Sequence, residues 1–516
     1  MEAQAESVRR EYGPNGTSAL IEPAAGDRPR ESRACILTDG LAAPDWLLAD
    51  SVLLCALMAG AIFTRFWRLG WPPAPVFDEI IMVTQARDFL NSIPVFDYHP
   101  PLATHLIALG IWLFGDVPWG WRVANAACGS ALVGITFLVG RRMFGSRLAG
   151  ALAALFVLCD GLFLVDSRLA IMEIFHITFA AWAFLMLFRY SQQSNPISQR
   201  RALVWLGVSL GLCLGSKFLI PMVTAALVAG FLIFDIAGRR SETSSFPRRL
   251  TSATAAPAAA ALALVGGIGA FIYLCVFFPN YWFGWWRGLG DYFVFAGHSV
   301  NVNRAMPATA ALSSPMWTWP LMLRPLIYWN HKFFEPDRLL ILGLGNPVVW
   351  WGIVLSMVIL AAQAIITRSV PRTFLVIAYV AYLAMWLPIF RFKFLYHYMS
   401  SVYVGFLAVG AVVAECWQGK ARRWEHIGLM ICVLPALVLG LRTLAPVAAV
   451  AIGAGYALSL RRSASYAGRF AAATFICAAI LLFVYLFPIE TGQVVPLAEL
   501  QRRIWWYAPG LERWLR

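Results

Sequence analysis

Long apolar segments alternate with short polar ones along most of the chain, and many apolar segments are long enough for a membrane-spanning helix. A helix needs about 20 apolar residues to cross the hydrocarbon core of a bilayer. The candidate spans are residues 46–64, 121–140, 148–165, 169–188, 202–216, 219–237, 257–278, 347–366, 373–390, 398–416, 426–442, 444–460 and 470–487. The two adjacent segments 426–442 and 444–460 are the weakest candidates for membrane spans. We therefore predict an all-α polytopic membrane protein with about 11–13 transmembrane helices.

Basic residues indicate the orientation, because they accumulate in every second polar segment. Arg141 and Arg142 follow the second span, and Arg239 and Arg240 follow the sixth. Short loops rich in Arg and Lys stay on the cytoplasmic side. We expect a multi-pass protein of the inner (plasma) membrane with a cytoplasmic N-terminus. Residues 1–44, which are polar and rich in arginine, are predicted to be a disordered cytoplasmic tail.

Two long loops, 65–120 and 279–346, fall on the opposite, periplasmic face. They belong to a predicted catalytic module at 45–420, which C-terminal transmembrane helices and a short outer tail follow at 421–516. The second loop is rich in Trp and Tyr. Anchoring at the membrane interface is the simplest interpretation of these aromatic residues. As a group they could also shape a groove for a sugar or a lipid.

Composition narrows the classes of function. Charged residues make up 13% of the chain, where a soluble protein has about 25%, so an ordinary cytosolic enzyme is excluded. Topology explains the net charge of +14, and we expect no nucleic-acid partner. The nine cysteines are scattered, and neither a metal-binding pattern nor a nucleotide-binding loop occurs. We expect no metal and no cofactor.

The first outer loop contains the most unusual polar residues. Asp78 and Glu79 follow a proline-rich stretch at 71–75, through which a helix cannot continue. Residues 79–90 mix apolar and charged positions, which predicts a helix on the membrane surface. Asp78 could then be the N-cap of that helix. As a partly desolvated carboxylate it could instead act as a general base toward a hydroxyl.

A second polar cluster lies at the outer ends of the third and fourth spans, where Asp166, Arg168, Glu173 and His176 occur. Glu173 and His176 are three residues apart and share a helix face, but no further metal ligand accompanies them. An ion pair between Glu173 and Arg168 is the plainer interpretation. Ionisable groups at such depth nevertheless favour a functional role.

Basic residues also occur on the outer face, where topology does not explain them. They are Lys217, Arg324, Arg391, Lys393 and His397. Snorkelling of long side chains toward water is one explanation. The other is an anionic ligand, for which a lipid phosphate is the economical candidate. A carboxylate base, a set of cations and an aromatic loop on one face suit transfer of a sugar from a lipid phosphate to a hydroxyl.

Several motifs, in order along residues 45–420, resemble the protein O-mannosyltransferase family, which are membrane glycosyltransferases of the GT-C type. The motifs are Phe77-Asp78-Glu79, Tyr98-His99-Pro100-Pro101-Leu102, Trp121-Arg122, Ser167-Arg168 with Glu173, Gly215-Ser216-Lys217-Phe218, the stretches 314–320 and 344–351, and Phe394-Leu395-Tyr396-His397-Tyr398. Eukaryotic members carry a large MIR domain in an outer loop. Loop 279–346 is too short for one, so the chain resembles the bacterial branch.

The resemblance implies an inverting transfer of mannose from polyprenyl-phosphate mannose to Ser or Thr of an exported protein, with no metal. It implies that Asp78 deprotonates the acceptor hydroxyl and that Glu79 assists acceptor binding or holds the loop. The candidates for the donor phosphate are Arg168, Lys217, Arg324, Arg391 and His397. The candidates for ordering the loops or binding the acceptor are His99, Glu173, Tyr396 and Trp317. The implied partners are the donor lipid, membrane lipids, an exported protein and the export translocon.

Other functions remain open at this point. Glu173 stands where the family usually has Asp, so another sugar or acceptor is an alternative. Aminoarabinose transferases of lipid A share the fold and move another sugar from a lipid phosphate to a lipid or glycan acceptor. They typically have Lys-Pro-Pro-Leu where this chain has His99, and a folded outer domain for which residues 488–516 are too few. A transporter would place charges along a path through the midplane, whereas the unusual polar residues here cluster on one face.

Overall fold

The computed structural model describes residues 39, 41–240, 252–310, 312–332, 337–441 and 444–504. The predicted tail at 1–44 lies almost entirely outside these ranges, as does the end of the predicted outer tail. Helices account for most of the described chain. They are α1 Leu48–Phe66, α2 Glu79–Leu90, α3 Leu102–Phe114, α4 Pro118–Met143, α5 Arg147–Leu158, α6 Gly161–Arg168, α7 Glu173–Gln192, α8 Pro196–Ser216, α9 Ile220–Arg240, α10 Ser252–Trp282, α11 Leu289–Ala305, α12 Pro347–Thr367, α13 Val370–Ala384, α14 Met399–Trp417, α15 Arg423–Leu441, α16 Ala445–Arg462, α17 Ala464–Glu490 and α18 Leu497–Ile504.

Every predicted span coincides with helical structure, which makes this a multi-span membrane protein. The third predicted span consists of two helices, α5 and α6, that meet at an angle of 63°. Among the described residues, eight helices are long and apolar enough to cross a membrane, or nine when the bent pair counts as one span. This number is lower than the predicted one, in part because α13 has only 15 residues and α8 contains Arg200 and Arg201.

The first outer loop forms surface helices, as predicted. Helix α2 begins at Glu79 and ends at Leu90. It exposes Ile80 and Ile81, whereas Met82 and Val83 are buried. The predicted helix is therefore confirmed, and its buried side faces the protein.

A small antiparallel sheet is the main departure from the all-α prediction. Strands β1 Leu326–Lys332 and β2 Asp337–Gly343 pair in the second outer loop, and β3 Val494–Pro496 pairs with the other edge of β2. Residues 339–342 are all buried, and such a short continuous apolar run is typical of a buried strand. The sheet joins the second outer loop to the segment that follows the last span.

Helices α7 and α14 occupy the centre of the bundle, since nearly all their residues are buried. Helix α14 approaches α5 closely at Gly410, where a Cβ would lie 2.7 Å from the backbone nitrogen of Ala153. Small residues allow such close packing of membrane helices. Glu173 begins α7, and Tyr396 lies in a short 3₁₀ turn, Leu395–Tyr398, that leads into α14. Both residues are therefore attached to the most tightly packed helices.

Candidate active site

The carboxylate of Asp78 is half-buried and accepts no hydrogen bond from any residue that the structure describes. Asp78 occupies the N-cap position of α2, but its side chain does not cap the helix. The capping interpretation is therefore wrong. The preceding residue, Phe77, has a φ of 51°, which bulky side chains rarely adopt. Strained backbone beside an uncommitted carboxylate is typical of a functional site.

Glu79 has the opposite environment, because it is buried and surrounded by donors. Nε and Nη2 of Arg122 donate to its two carboxylate oxygens at 2.7 Å each. The backbone N–H of Val76 donates to the same carboxylate at 3.1 Å, and that of Ala170 at 2.7 Å. The Glu79 and Arg122 side chains are both fully buried. This geometry supports the loop-holding role for Glu79 and not contact with an acceptor.

Arg122 also holds the loop that precedes α2. Its Nη1 donates to the carbonyl oxygens of Leu69 at 3.2 Å and Pro72 at 2.8 Å, and its Nη2 donates to that of Ala74 at 3.4 Å. One guanidinium therefore fixes the whole approach to Asp78. The sequence places Arg122 in a motif but indicates no role for it.

Glu173 forms a buried ion pair with Lys217, which follows α8. The predicted pair between Glu173 and Arg168 is not formed, so that interpretation is wrong. The Lys217 Nζ atom also lies 5.4 Å from the centre of the Tyr396 ring, within reach of a cation–π interaction. The pair brings together three residues that the sequence analysis had selected separately.

Asp78 lies beside this ion pair and interacts with its charges. Burial raises the pKa of Asp78 to about 7, the charge of Glu173 acts in the same direction, and Lys217 opposes both. An aspartic acid in water titrates at about 3.9. A carboxylate that titrates near neutral pH is a more effective proton acceptor than an ordinary one. The electrostatics therefore favour the general-base interpretation of Asp78.

The segment 97–99 borders the same charges. The Oδ1 of Asp97 accepts the backbone N–H of His99 at 3.1 Å, and burial raises the pKa of Asp97 to about 7. Burial, followed by the charges of Lys217 and Arg391, holds the pKa of His99 well below its usual value of 6.5. A neutral, buried His99 supports the predicted ordering role. Asp97 is a second carboxyl group near the site, to which sequence reasoning assigned no role.

The Arg168 guanidinium is not free to bind a phosphate. Its Nη1 donates to the carbonyl oxygens of Thr64, Arg65 and Trp67 at 2.6–3.1 Å. The last carbonyl groups of a helix lack partners within the helix, and a cation there also interacts favourably with the helix dipole. Arg168 therefore caps the end of α1, which corrects the prediction that it holds the donor phosphate.

Arg324 and Trp317 lie on the exposed part of the second outer loop. The Arg324 guanidinium has a long hydrogen bond to the Ser313 carbonyl, at 3.4 Å, and 75% of Trp317 is exposed. Neither residue contacts Asp78 or Lys217. The structure does not bring these two predicted residues to the site.

Arg391 and His397 lie closer to the acidic loop, which is our name for the part of the first outer loop that contains Asp78 and Glu79. Among the described residues Arg391 has no ion pair. Its Nη1 contacts the Met306 sulfur at 3.3 Å, and its charge acts on His99. His397 is buried, and its Nδ1 lies 2.9 Å from the backbone nitrogen of Phe394. Arg391 is thus the open cation near the site, whereas His397 is held by the surrounding backbone.

The arrangement combines a proton acceptor with nearby cations, on elements at one end of the bundle. Asp78 supplies the acceptor, and Lys217 and Arg391 supply positive charge. Such a site suits removal of a proton from a hydroxyl while negative charge develops on a departing anion. In the described part of the chain, no three His, Cys, Asp or Glu residues are arranged to hold a metal ion.

Solved structures with a similar fold identify the class. The S. cerevisiae protein O-mannosyltransferase Pmt1–Pmt2 complex, bound to the sugar donor, matches with a TM-score of 0.72 at 13% identity over 90% of this chain and 93% of that one. ArnT from Cupriavidus metallidurans, bound to undecaprenyl phosphate, matches with a TM-score of 0.52 at 17% identity over 86% and 77%. The fold is that of the GT-C membrane glycosyltransferases.

Sequence comparison identifies the family within this class. Models described as dolichyl-phosphate-mannose-protein mannosyltransferase match residues 55–118 and 98–265, and the C-terminal four TMM region of protein-O-mannosyltransferase matches residues 289–508. The polyprenol-phosphate-mannose–protein mannosyltransferase of Mycolicibacterium smegmatis is 28% identical over 74% of this chain and 86% of its own length. That of Mycobacterium tuberculosis is 26% identical over 82% and 94%. The chain belongs to the bacterial protein O-mannosyltransferase family.

Proposed function

We propose that the protein transfers mannose from polyprenyl-phosphate mannose to a Ser or Thr hydroxyl of an exported protein. The observation that carries this proposal is the position of Asp78, a half-buried carboxylate that does not cap its helix and lies beside the Lys217–Glu173 pair. Burial raises the pKa of Asp78 to about 7. The family supports the donor and the reaction, since the mycobacterial relatives are named for polyprenol-phosphate mannose and for protein mannosylation.

The proposed step is a single displacement at C1 of the mannose. The acceptor oxygen attacks C1 from the face opposite the phosphate, and the bond between C1 and the phosphate oxygen breaks with its electron pair. Asp78 takes the proton of the hydroxyl, and polyprenyl phosphate leaves with the negative charge. One displacement inverts the configuration at C1. A base with a pKa near 7 suits this proton transfer at neutral pH.

Lys217 and Arg391 are the groups that we propose for the donor phosphate. Both influence the charge balance of the first outer loop, and Arg391 has no ion pair with a described carboxylate that would compete with a phosphate. Fixed cations stabilise negative charge as it develops on the leaving group. We therefore propose that the transfer requires no metal ion.

We place the site on the periplasmic face of the inner membrane, with the N-terminus in the cytoplasm. The charge pattern of the loops supports this orientation. Asp50, at the start of α1, accepts hydrogen bonds from Arg141 and Arg147 at 2.7 Å each, so these basic residues lie at the same end of the bundle. An exported acceptor would then reach the site as it leaves the export translocon.

The test is a transfer assay with purified protein, polyprenyl-phosphate mannose and a Ser/Thr-rich peptide. We expect the wild type to yield mannosylated peptide and Asp78→Asn to lose roughly two or more orders of magnitude in rate. Asp88→Asn is the matched control, because Asp88 lies on the same helix and we expect its loss to leave the rate unchanged.

Two results would contradict parts of the proposal. Transfer that survives Asp78→Asn would exclude Asp78 as the base. A folded wild type that binds the donor but modifies no peptide would favour the alternative function, in which a sugar passes from a lipid phosphate to a lipid or glycan acceptor. Offering lipid and glycan acceptors in the same assay would then decide between them.

A further inference from the structure

Tyr328 belongs to the second outer loop, yet its side chain is buried against the first. It lies on β1, where the pairing with β2 shifts register between Ile327 and Trp329. Such a bulge changes the direction of a side chain. Gly343 on β2 leaves room for the ring, since a Cβ there would lie 2.4 Å from it. The local structure thus directs Tyr328 inward.

The Tyr328 side chain makes two separate contacts. Its ring lies 5.0 Å from the ring of Phe77 in an edge-on arrangement, and its hydroxyl donates to Oδ1 of Asp166 at 2.5 Å. Burial and the charge of Asp166 raise the pKa of Tyr328, so the hydroxyl keeps its proton and remains a donor. The other oxygen of Asp166 is buried without a partner among the described residues, so Tyr328 is an important donor for this carboxylate.

Phe77 is the residue that needs such support. Its φ of 51° is unfavourable for a bulky side chain and persists only where the surroundings hold it. The rings of Tyr328, Phe394 and Tyr396 surround it at 5.0–6.4 Å. Because Phe77 directly precedes Asp78, its backbone conformation determines the direction of the Asp78 side chain.

We propose that Tyr328 and Asp166 are positioning residues for Asp78. Their hydrogen bond fixes the tyrosine ring against Phe77, and Phe77 in its strained conformation aims the Asp78 carboxylate. The small sheet therefore has a role in the site, because it places Tyr328 beside Phe77, which lies some 250 positions earlier in the sequence. The kinetic consequence rests on the proposed function, whereas the effect on the loop conformation does not.

The kinetic test uses variants that remove either the donor or the acceptor of the hydrogen bond between Tyr328 and Asp166. Tyr328→Phe keeps the ring and removes the donor, and Asp166→Leu removes the acceptor. We expect each to lower kcat by about tenfold to a hundredfold, as small misplacements of a reacting group do, with the KM for the donor within about twofold. Asp166→Asn keeps an acceptor oxygen and should retain most of the activity. The double variant Tyr328→Phe/Asp166→Leu should be no slower than the worse single variant, because the two residues act as one unit.

A second measurement follows the loop directly, by hydrogen–deuterium exchange at the amides of Glu79 and Ile80. These amides bond to the carbonyls of Val76 and Phe77, and we expect faster exchange there in Tyr328→Phe. Trp329→Phe, on the same strand but half-exposed, is the matched control and should change neither kcat nor exchange.

Each outcome decides the proposal. Unchanged exchange and unchanged kcat in Tyr328→Phe would overturn it. Faster exchange throughout the protein, with a general loss of thermal stability, would also overturn it, because the role would then be structural. If the wild type transfers no mannose to peptide, the proposed function fails, and the exchange at Glu79 and Ile80 alone decides whether Tyr328 positions the loop.

Discussion

Nε of Arg122 and Oε1 of Glu79 lie 2.7 Å apart in a fully buried ion pair. The residue directly before Glu79 is Asp78, whose carboxylate is not part of this pair. Two adjacent acidic residues therefore have opposite environments. Glu79 accepts four hydrogen bonds, whereas Asp78 accepts none from the described residues. Separate environments give neighbouring carboxylates separate roles. Here one anchors the loop, and we propose that the other reacts.

The first prediction concerns the anchor. Arg122→Ala leaves Glu79 buried and unpaired, and removing one partner of such a pair costs about 3–5 kcal/mol. We expect this loss in the free energy of unfolding, measured by denaturation in detergent, together with a loss of transfer. Arg87→Ala is the control, because Arg87 and Asp116 form an exposed pair of a kind worth about 0–1 kcal/mol. An Arg122→Ala variant as stable as the control would contradict the anchoring role.

The second prediction concerns pH. Because burial raises the pKa of Asp78 to about 7, the carboxyl group carries a proton below that pH and cannot accept another. We expect kcat/KM to fall about tenfold per pH unit on the acidic side of neutrality. Lys217→Met removes a charge that lowers the pKa of Asp78, so the acid limb, meaning the fall of kcat/KM on the acidic side of its pH profile, should move to higher pH. Glu173→Gln removes a charge that raises it, so the limb should move to lower pH.

Rates measured from pH 4 to pH 9 with the three proteins check this prediction. Peptide and donor concentrations are varied at each pH, so that kcat/KM is obtained directly. If kcat/KM of the wild type fell only near pH 4, where an ordinary aspartic acid titrates, the raised pKa of Asp78 would be contradicted. Shifts of the same sign in both variants would exclude the opposing effects of Lys217 and Glu173.

The sequence predicts the helical spans and singles out Asp78 as an unusual carboxylate, because both depend on local patterns. Each predicted span coincides largely with helical structure, and α2 has the predicted bounds of 79–90. Asp78 stands out through its proline-rich approach and its neighbour Glu79. These signals lie within a few residues of each other, which is the range over which periodicity and turn chemistry act.

The partners of the charged residues could not be predicted in the same way. The sequence favours a pair between Glu173 and Arg168, whereas the structure pairs Glu173 with Lys217, 44 positions away. Arg122 lies 43 positions from Glu79. The packing of the bundle determines which side chains of different helices meet. The apolar pattern shows that a helix face is buried, but it does not show which helix packs against that face.

The third prediction concerns metal ions. We propose that Lys217 and Arg391 supply the positive charge that the departing phosphate needs, so we expect excess EDTA to leave the transfer rate within about twofold of the untreated rate. The same preparation is then assayed with added Mg²⁺ and Mn²⁺. Loss of transfer in EDTA, with recovery on adding one of these ions, would show that the cations of the protein are insufficient.

The fourth prediction separates the cations that sequence reasoning grouped together. Arg391→Gln removes the half-buried open cation near the acidic loop, and loss of a charged hydrogen-bonding group lowers affinity about tenfold or more. We expect this as an increase in the KM for polyprenyl-phosphate mannose. Arg324→Gln should leave that KM within about twofold, because Arg324 is exposed and does not contact the site.

Arg168→Gln completes this comparison. Its guanidinium caps α1, so the variant should unfold at lower denaturant concentration, while the fraction that remains folded keeps the KM of the wild type. Donor KM and unfolding are therefore measured for all three variants. An increase in donor KM for Arg168→Gln or Arg324→Gln, with none for Arg391→Gln, would reverse the assignment, and the phosphate would then bind away from the acidic loop.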